Sequence, residues 1–145
     1  MAEEFTVGSD YYVQLVTQEG GVLDVPSDYI SSFQKRRESS TETRRGIQGR
    51  TMSHQSPNGY SGSFNIDRHS PTIENFFIDL DQQYYEGRRQ LPGSILETIR
   101  EIDGSVSQYE YRGVKFNLED LGTVEQGKRV TMTLTFTSTD RIRRV

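Results

Sequence analysis

The segment of residues 129–137 (RVTMTLTFT) constrains the fold most, because apolar and hydroxyl side chains alternate along it without a break. Side chains on a β-strand point alternately to opposite faces, so this segment has one apolar face and one uncharged face of threonines. Residues 60–67 (YSGSFNID) repeat the design with serine and asparagine. We predict two long strands whose polar faces either line an aqueous space or form the wet exterior of a sandwich, where threonine is a good β-former.

Composition indicates a small core. The chain has 145 residues, which predicts one domain over residues 1–145. Only 32% of the residues are apolar, against a usual ~45–50% when glycine is counted as well. Part of the stability is therefore expected from neighbouring subunits in an assembly. The net charge of -4 argues against a general nucleic-acid binder, which needs an excess of Lys and Arg.

Several other classes are disfavoured by what the sequence lacks. There is no cysteine, so neither a disulfide framework nor a thiolate metal site is expected. No apolar run approaches the ~20 residues of a membrane-spanning helix, so no membrane insertion is expected. The first ten residues, MAEEFTVGSD, are acidic, unlike a signal peptide. We therefore expect a soluble protein that is made in the cytoplasm.

The first half of the chain is expected to contain strands and a long loop. Alternation predicts a strand over Tyr11–Thr17 and a short one over residues 22–25, which a proline then ends. Residues 39–57 are polar apart from Ile47 and Met52, which predicts a long polar loop. Loops of this length within a compact domain are uncommon and usually functional.

One helix is expected over residues 71–86. Ser70 is a candidate N-cap, Pro71 suits the first helical position, and Gly87 can close the C-terminus. Apolar residues three and four positions apart give the helix one apolar stripe, which needs a sheet to pack on. The stripe consists of Ile73, Phe76, Phe77, Leu80 and Tyr84, and the first four are predicted to form the helix core.

The second half of the chain is predicted to contain a β-hairpin. Asp103-Gly104 is a strong turn signal between residues 94–101, predicted to be a strand buried on both faces, and residues 106–118. The alternation of the second strand changes phase at Gly113, which indicates a β-bulge. Residues 140–145 are expected to form a basic tail after the final strand.

Catalytic, cofactor and metal sites are not predicted. His54 and His69 lack the spacing of metal ligands, and no nucleophile elbow or phosphate-binding glycine loop is present. Two basic runs, residues 35–37 and 44–45, allow two interpretations. They form either a nucleic-acid patch or a charged hairpin arm exposed to solvent or to a partner subunit. The acidity of the whole chain favours the arm.

From about Tyr29 to Thr139 the chain resembles the tail tube proteins of contractile-tailed bacteriophages of the myovirus type. In architecture it is also similar to the tube proteins of type VI secretion systems and of phage-like bacteriocins. Five blocks carry the resemblance: YISSFQKRRES, GIQGRTMSHQSPNGYSGSFNIDR, SPTIENFFIDL, YEYRGVKFNLEDLG and VTMTLTFTS.

The resemblance implies a mainly β (α+β) fold, an antiparallel β-barrel or sandwich with one flanking amphipathic helix. Six subunits would join their inner sheets into a ring around a channel, and the homohexameric rings would stack into the inner tube of a contractile tail in the virion. The implied partners are other copies of the chain, the tail sheath, the baseplate and the tail terminator. Double-stranded DNA would pass transiently during genome ejection, without specific binding. No enzymatic activity and no cofactor are implied.

The resemblance also assigns roles to two groups of residues. An uncharged channel wall suits the passage of a polyanion, because cationic groups would hold its phosphates. The predicted lumen-facing residues are Ser61, Ser63, Asn65, Thr131, Thr133 and Thr135. The predicted inter-ring or inter-subunit loop contains Arg44, Arg45, Arg50, His54 and Asn58.

The ring joint is expected at a strand edge. Residues 60–67 and 129–137 carry no proline or inward charge to protect an edge, so one of them, or a strand beside it, is expected to pair with a neighbouring subunit.

Two alternatives remain open. The chain could be a tube protein of a bacteriocin or a type VI secretion system, which share the tube architecture. It could instead be a small β-barrel ligand-binding or enzymatic module with its site in the barrel mouth. Such a site needs convergent ionisable residues at inward strand positions, where this sequence offers serine, threonine and asparagine.

Overall fold

A computed structural model describes residues 5–17, 21–23, 25, 27–87 and 91–144. The expected mainly β fold with one helix is confirmed, and the strands form an open sandwich rather than a closed barrel. The elements are β1 (Tyr11–Thr17), β2 (Gly21–Leu23), β3 (Ile30–Arg45), β4 (Thr51–Asp67), α1 (Thr72–Tyr85), β5 (Gly93–Arg100), β6 (Val106–Asp120), β7 (Thr131–Ser138) and β8 (Asp140–Arg143).

Two antiparallel sheets share the long strand β6. The first half of β6 pairs with β5 on one side and β8 on the other, and β5 continues through β1 to β2. The second half of β6 begins a second sheet in the order β6-β7-β4-β3. The predicted bulge at Gly113 is confirmed, because the register with β5 shifts there and Gly113 adopts a φ of 63°. The predicted hairpin turn at Asp103-Gly104 is also confirmed.

The core lies between the two sheets. Phe64 and Ile66 on β4 are buried together with Met132, Leu134 and Phe136 on β7, which confirms the predicted apolar faces of both segments. The first sheet and the helix cover them from the other side with a further set of buried side chains. That set includes Val13, Leu15, Ile73, Ile95 and Tyr111. On β5 burial alternates, so the expectation that both faces of this strand are buried is wrong.

The helix prediction is confirmed, but its N-cap is not. Pro71 occupies the N-cap position. The Ser70 hydroxyl lies 3.0 Å from the Thr72 hydroxyl, so it bonds a side chain instead of capping a backbone amide. At the other end Gly87, with a φ of 83°, donates its N–H to the Tyr84 carbonyl oxygen at 3.0 Å. A glycine therefore closes the helix, as expected.

The predicted helix stripe is buried to different depths. Ile73 is buried, and Phe76 and Phe77 are partly buried against the core. Leu80 is half-buried, and Tyr84 is exposed. The contact with the sheets is therefore made mainly by the first two turns of the helix.

The predicted long polar loop over residues 39–57 is wrong. β3 and β4 continue through this segment and pair with each other from Ser39–Pro57 to Arg45–Thr51, leaving a short turn at residues 46–50. Side chains on both faces of this two-stranded ribbon are exposed, so it lacks the apolar alternation by which a strand is recognised in a sequence.

Two smaller predictions also need correction. The residues of the expected basic tail form β8, which pairs with β6 from Tyr109–Arg143 to Arg112–Asp140, while residue 145 lies outside the described residues. Near the N-terminus, the short strand expected at residues 22–25 is β2, which begins one residue earlier. The residues between β1 and β2, 18–20, lie outside the described residues, as does Pro26, the proline expected to end the strand.

Candidate functional site: a polar sheet face and a hairpin arm

The second sheet presents a polar face on the side opposite the core, and the middle of this face is uncharged. The two segments predicted to carry it are direct neighbours: Ser63 lies opposite Thr135, and Asn65 lies opposite Thr133. The flanking strands β3 and β6 extend the same rows. The residues of this polar face are Ser32, Gln34, Ser61, Ser63, Asn65, Asn117, Thr133 and Thr135.

Hydrogen bonds run across the strands on the polar face. Asn65 Nδ2 donates to Ser32 Oγ at 2.7 Å, and Thr133 Oγ1 donates to Asn65 Oδ1 at 3.1 Å. Thr135 Oγ1 donates to the Asn117 backbone oxygen at 3.2 Å. These bonds orient the hydroxyl and amide groups and satisfy part of their bonding capacity, which leaves a neutral surface of small polar groups.

Charged groups border this face among the described residues. In the register Arg36 lies opposite Ser61 and Lys115 opposite Thr137 at one end, and Asp120 lies opposite Thr133 on the β6 edge. Asp67 accepts from Thr131 Oγ1 and from Arg129 Nη1, both at 3.2 Å. At the other end Ser61 Oγ donates to Glu38 at 2.6 Å. Thr131, predicted to face the lumen, therefore stands beside a charged rim, and Ser61 stands at the opposite one.

The sequence did not assign β3 and β6 to this face. Ser32 and Gln34 alternate with Phe33 and Lys35, which is a strand signal, but the adjoining polar stretch was interpreted as a loop. Asn117 follows the phase change at Gly113, so its place beside Thr135 emerges only from the pairing of β6 with β7.

The free edges of the second sheet do not belong to the two alternating segments, residues 60–67 and 129–137. β4 lies between β3 and β7, and β7 lies between β4 and β6, so neither segment has a free edge. Within the described residues the free edges belong to β3 and to the second half of β6. The strands beside the two segments thus carry the edges.

A hairpin arm, residues 39–57, projects from the second sheet. Its turn is closed by the Gly46 N–H, which donates to the Arg50 carbonyl oxygen at 2.8 Å. The pairing confirms a hairpin arm for the second basic run, Arg44-Arg45, whereas the first, residues 35–37, lies in the part of β3 that belongs to the sheet. At ~3.4 Å per residue, the arm's paired strands extend about 20–25 Å from its base.

The predicted inter-ring residues are spread along this arm. Arg44, Arg45 and Arg50 lie at its end, His54 pairs with Glu42 halfway, and Asn58 lies at its base. The side chains of all five predicted residues are exposed. Their spacing suits a long contact surface better than a single site.

A buried ionic cluster joins the base of the arm to the first sheet. Glu97 on β5 is fully buried and accepts from Arg141 Nη2 on β8 at 2.7 Å and from Lys35 Nζ on β3. Burial, together with the charge of Glu97, raises the pKa of Tyr111 beside it. Burial acts to lower the pKa of Arg141, but the hydrogen bond to the Glu97 carboxylate acts in the opposite direction, and the pKa is raised. The cluster thus links three strands of both sheets.

This cluster bears on the ligand-binding or enzymatic alternative. It shows that inward positions do hold ionisable groups, which the sequence signalled only by a carboxylate between Ile95 and Ile99. Lys35 also lines a cavity of about 390 Å³ between β1 and β3 with Tyr11 and Phe33. Both Glu97 oxygens already accept bonds from cations, so the carboxylate is poorly placed to act as a base.

The described residues offer neither a metal cluster nor a membrane-spanning helix. In the ranges that the structure describes, no three potential metal-ligating residues among His, Cys, Asp and Glu cluster together. No helix within those ranges is long and apolar enough to cross a membrane.

Comparison with solved structures places this architecture among tail tube folds. The fold matches a chain of the extended-state sheath/tube terminator of an extracellular contractile injection system, PVC, with a TM-score of 0.72 and 9% identity over 100% of both chains. A chain of the PVC sheath-tube complex matches with a TM-score of 0.71 and 9% identity, over 99% of this chain and 93% of that one. The SPP1 tail tube matches with a TM-score of 0.55 and 10% identity, over 97% and 79%.

In sequence, no protein-family model and no curated protein gives a significant match. The expected resemblance to tail tube proteins is thus confirmed by the fold, at identities too low to show more than the fold.

Proposed function

We propose that this protein is a structural, non-enzymatic subunit of the inner tube of a contractile tail or injection machine, with residues 1–145 forming one tube domain. The observation that carries the proposal is the polar face of the sheet β6-β7-β4-β3, which is neutral in its middle. Among the described residues this sheet has a free edge at each end. The shared fold with chains of sheath-tube assemblies supports it.

In the proposed ring, the β3 edge of one copy pairs with the second half of β6 in the next. Because the two edges belong to different surfaces, the contact is heterologous and closes into a ring when the rotation between copies allows. Six copies, the number that the tail tube resemblance implies, would give a continuous sheet around a channel. Free edges that would be a liability in a monomer are then satisfied within the assembly.

The polar face lines the channel in this arrangement. Its hydroxyl and amide groups offer no fixed positive charge along the middle of the wall. A polyanion can therefore slide past, because no cationic side chain there displaces its counterions and binds its phosphates. The charged groups at the two ends of the face fall at the ring boundaries, where rings stack. The proposed partners are other copies, the sheath, the terminator and the baseplate.

Two kinds of tube fit the proposal, one that conducts DNA and one that conducts protein. A phage tail tube, part of a virion assembled in the host cytoplasm, conducts double-stranded DNA, as the sequence resemblance implies. An injection-system tube is the second candidate, favoured by the higher TM-scores of the PVC chains over the SPP1 tail tube. The contents of the native particle, DNA or protein, decide between them.

A charge placed on the wall tests the proposed lumen. Thr135→Lys should leave assembly into tubes intact but make the tubes retain double-stranded DNA fragments in a salt-dependent way, because a ring of lysines neutralises phosphates. Thr135→Gln is the matched control and should retain no more DNA than the wild type. Equal retention by the lysine and glutamine tubes would place Thr135 outside the channel.

A further inference from the structure

The end of the arm is both basic and apolar. It consists of Arg44, Arg45, Ile47, Arg50 and Met52, and in the register of the hairpin Arg44 lies directly opposite Met52. Ile47 and Met52 are the aliphatic side chains of the arm. Ile47 is nevertheless fully exposed, and Met52 is half-exposed. The arm, residues 39–57, contains three arginines and one glutamate, a net charge of +2, in a chain whose net charge is -4.

The outer face of α1 has the complementary character. It consists of Ile78, Asp79, Asp81 and Tyr85 on the side of the helix turned away from the core. Ile78 and Tyr85 are seven positions apart with Asp81 between them, so the three share one face. Both apolar side chains are more than half exposed. The whole helix contains three acidic residues and no Lys or Arg, a net charge of -3.

The charged groups of both surfaces lack partners within the described chain. The side chains of Arg44, Arg45 and Arg50 form no ion pair with any described residue, and neither do Asp79 and Asp81. Several other surface charges are paired locally, such as Arg36 with Glu38 and Arg112 with Asp140. The two surfaces therefore combine unpaired charge of opposite sign with exposed apolar side chains.

We propose that the end of the arm of one copy docks on the outer face of α1 of a second copy. The inference rests on the proposed tube assembly and names the surface that receives the arm. The arginines face Asp79 and Asp81, while Ile47 and Met52 cover Ile78 and Tyr85. Opposite charges orient the contact, and burial of the apolar side chains contributes to its stability.

The proposed contact propagates an assembly. Arm and helix are different surfaces, so each copy offers one of each, and the chain of contacts continues from copy to copy. A projection of about 20–25 Å lets the arm reach beyond its own subunit. Because part of the attraction is between exposed charges, the contact should weaken as salt concentration rises.

Charge reversal with rescue tests the proposal. Arg44→Glu/Arg45→Glu should reduce the protein recovered as sedimenting tubes by about tenfold or more, because like charges are then juxtaposed. Adding Asp79→Lys/Asp81→Lys to the same chain should restore tubes, since the two surfaces meet between copies. The matched control adds Asp103→Lys/Glu125→Lys, two exposed acids in turns outside the helix and outside the proposed ring joint, and should not restore them.

A cross-link gives a second readout that does not depend on rescue. The chain has no cysteine, so Arg45→Cys/Asp81→Cys introduces the sole thiols. Under oxidation, assembled protein should show a ladder of disulfide-linked copies on a non-reducing gel, and each single-cysteine variant should not. A disulfide requires Cα atoms within ~7 Å, so the ladder reports a direct contact.

The outcomes separate this inference from the proposed function. If the wild type forms no tubes, both are wrong. If the wild type forms tubes and the arm reversal forms them equally well, the docking is wrong and the tube function stands. Loss of tubes without rescue by the helix lysines, and without a cross-link, means that the arm binds another surface.

Discussion

The strands β3 and β4 run through both the body of the molecule, which is the two sheets with α1, and the arm, but their side chains are buried differently in the two regions. In the body, Phe64 on β4 is fully buried and stacks on Phe33 of β3 with ring centroids 4.4 Å apart. In the arm, the same strands carry exposed side chains on both faces. A two-stranded hairpin alone is marginally stable in water, so the arm depends on contacts outside itself. One region is stabilised by its own core, and in the proposed assembly the other is stabilised by a second copy of the chain.

The largest difference in stability is expected between two alanine substitutions on β4, one in the body and one in the arm. Phe64→Ala should lower the free energy of unfolding by about 3–5 kcal/mol, because it opens a cavity in the core. Met52→Ala on the same strand should leave it unchanged within about 0.5 kcal/mol. Urea unfolding of the unassembled subunit measures both, and equal losses would mean that the arm is packed within the monomer.

The ionic cluster that links the arm base to the body should give the next effect. Glu97→Gln leaves Lys35 and Arg141 without their counter-charge and should cost roughly 3 kcal/mol, the lower end for a broken buried ion pair, since both cations reach solvent. Glu110→Gln, which removes the partner of Arg144, is the control and should cost about 1 kcal/mol or less. If Glu97→Gln is as mild as its control, the cluster does not tie the sheets together.

Removal of the arm should have a small effect on the monomer and a large one on assembly. Replacing residues 39–57 by Asn-Gly, a preferred two-residue hairpin turn, should change the free energy of unfolding by about 1 kcal/mol or less. Sedimentation should nevertheless show no tubes. A shortened protein that still assembles would show that the arm is dispensable, and one that fails to fold would show that the arm belongs to the core.

Among these predictions, a fall in pH should lower the stability of the folded protein by the smallest amount. The N–H of Val7 and then Arg100 hold the pKa of Asp10 below its usual value, and the hydrogen bond from Arg112 does the same for Asp140. Carboxylates with a lowered pKa in the folded state stabilise above their unfolded pKa and lose this contribution as pH falls through the folded pKa. Stability should therefore drop below about pH 4. A smaller drop is expected in Asp10→Asn/Asp140→Asn, and an equal drop would assign the acid sensitivity to other groups.

Sequence patterns predicted the body better than the arm, for a physical reason. Burial of one face imposes alternation on β7 and on the body part of β4, and a left-handed glycine marks the bulge at Gly113 and the end of α1. The arm has no buried face, so its strands leave no such alternation and were predicted as a loop. Glu97 and its two cations come from three distant strands, so their meeting follows only from the topology.

The same limit applies to the candidate site. The polar faces of β4 and β7 were predictable from single strands, whereas their pairing with each other, and the contribution of Ser32, Gln34 and Asn117, required the strand order. That order also moved the free edges to β3 and β6. Local pattern thus predicts which face is polar, and only the register shows how wide that face is.

A cryo-EM reconstruction of tubes assembled from the wild-type protein tests the central claim most directly. The account predicts rings in which the β3 edge of one copy pairs with the second half of β6 in the next. Ser63, Thr133 and Thr135 should line the channel, with Phe64 and Leu134 behind them in the core. Tubes in which these polar side chains face the outer surface or another ring, or a protein that stays a monomer at every concentration tested, would contradict it.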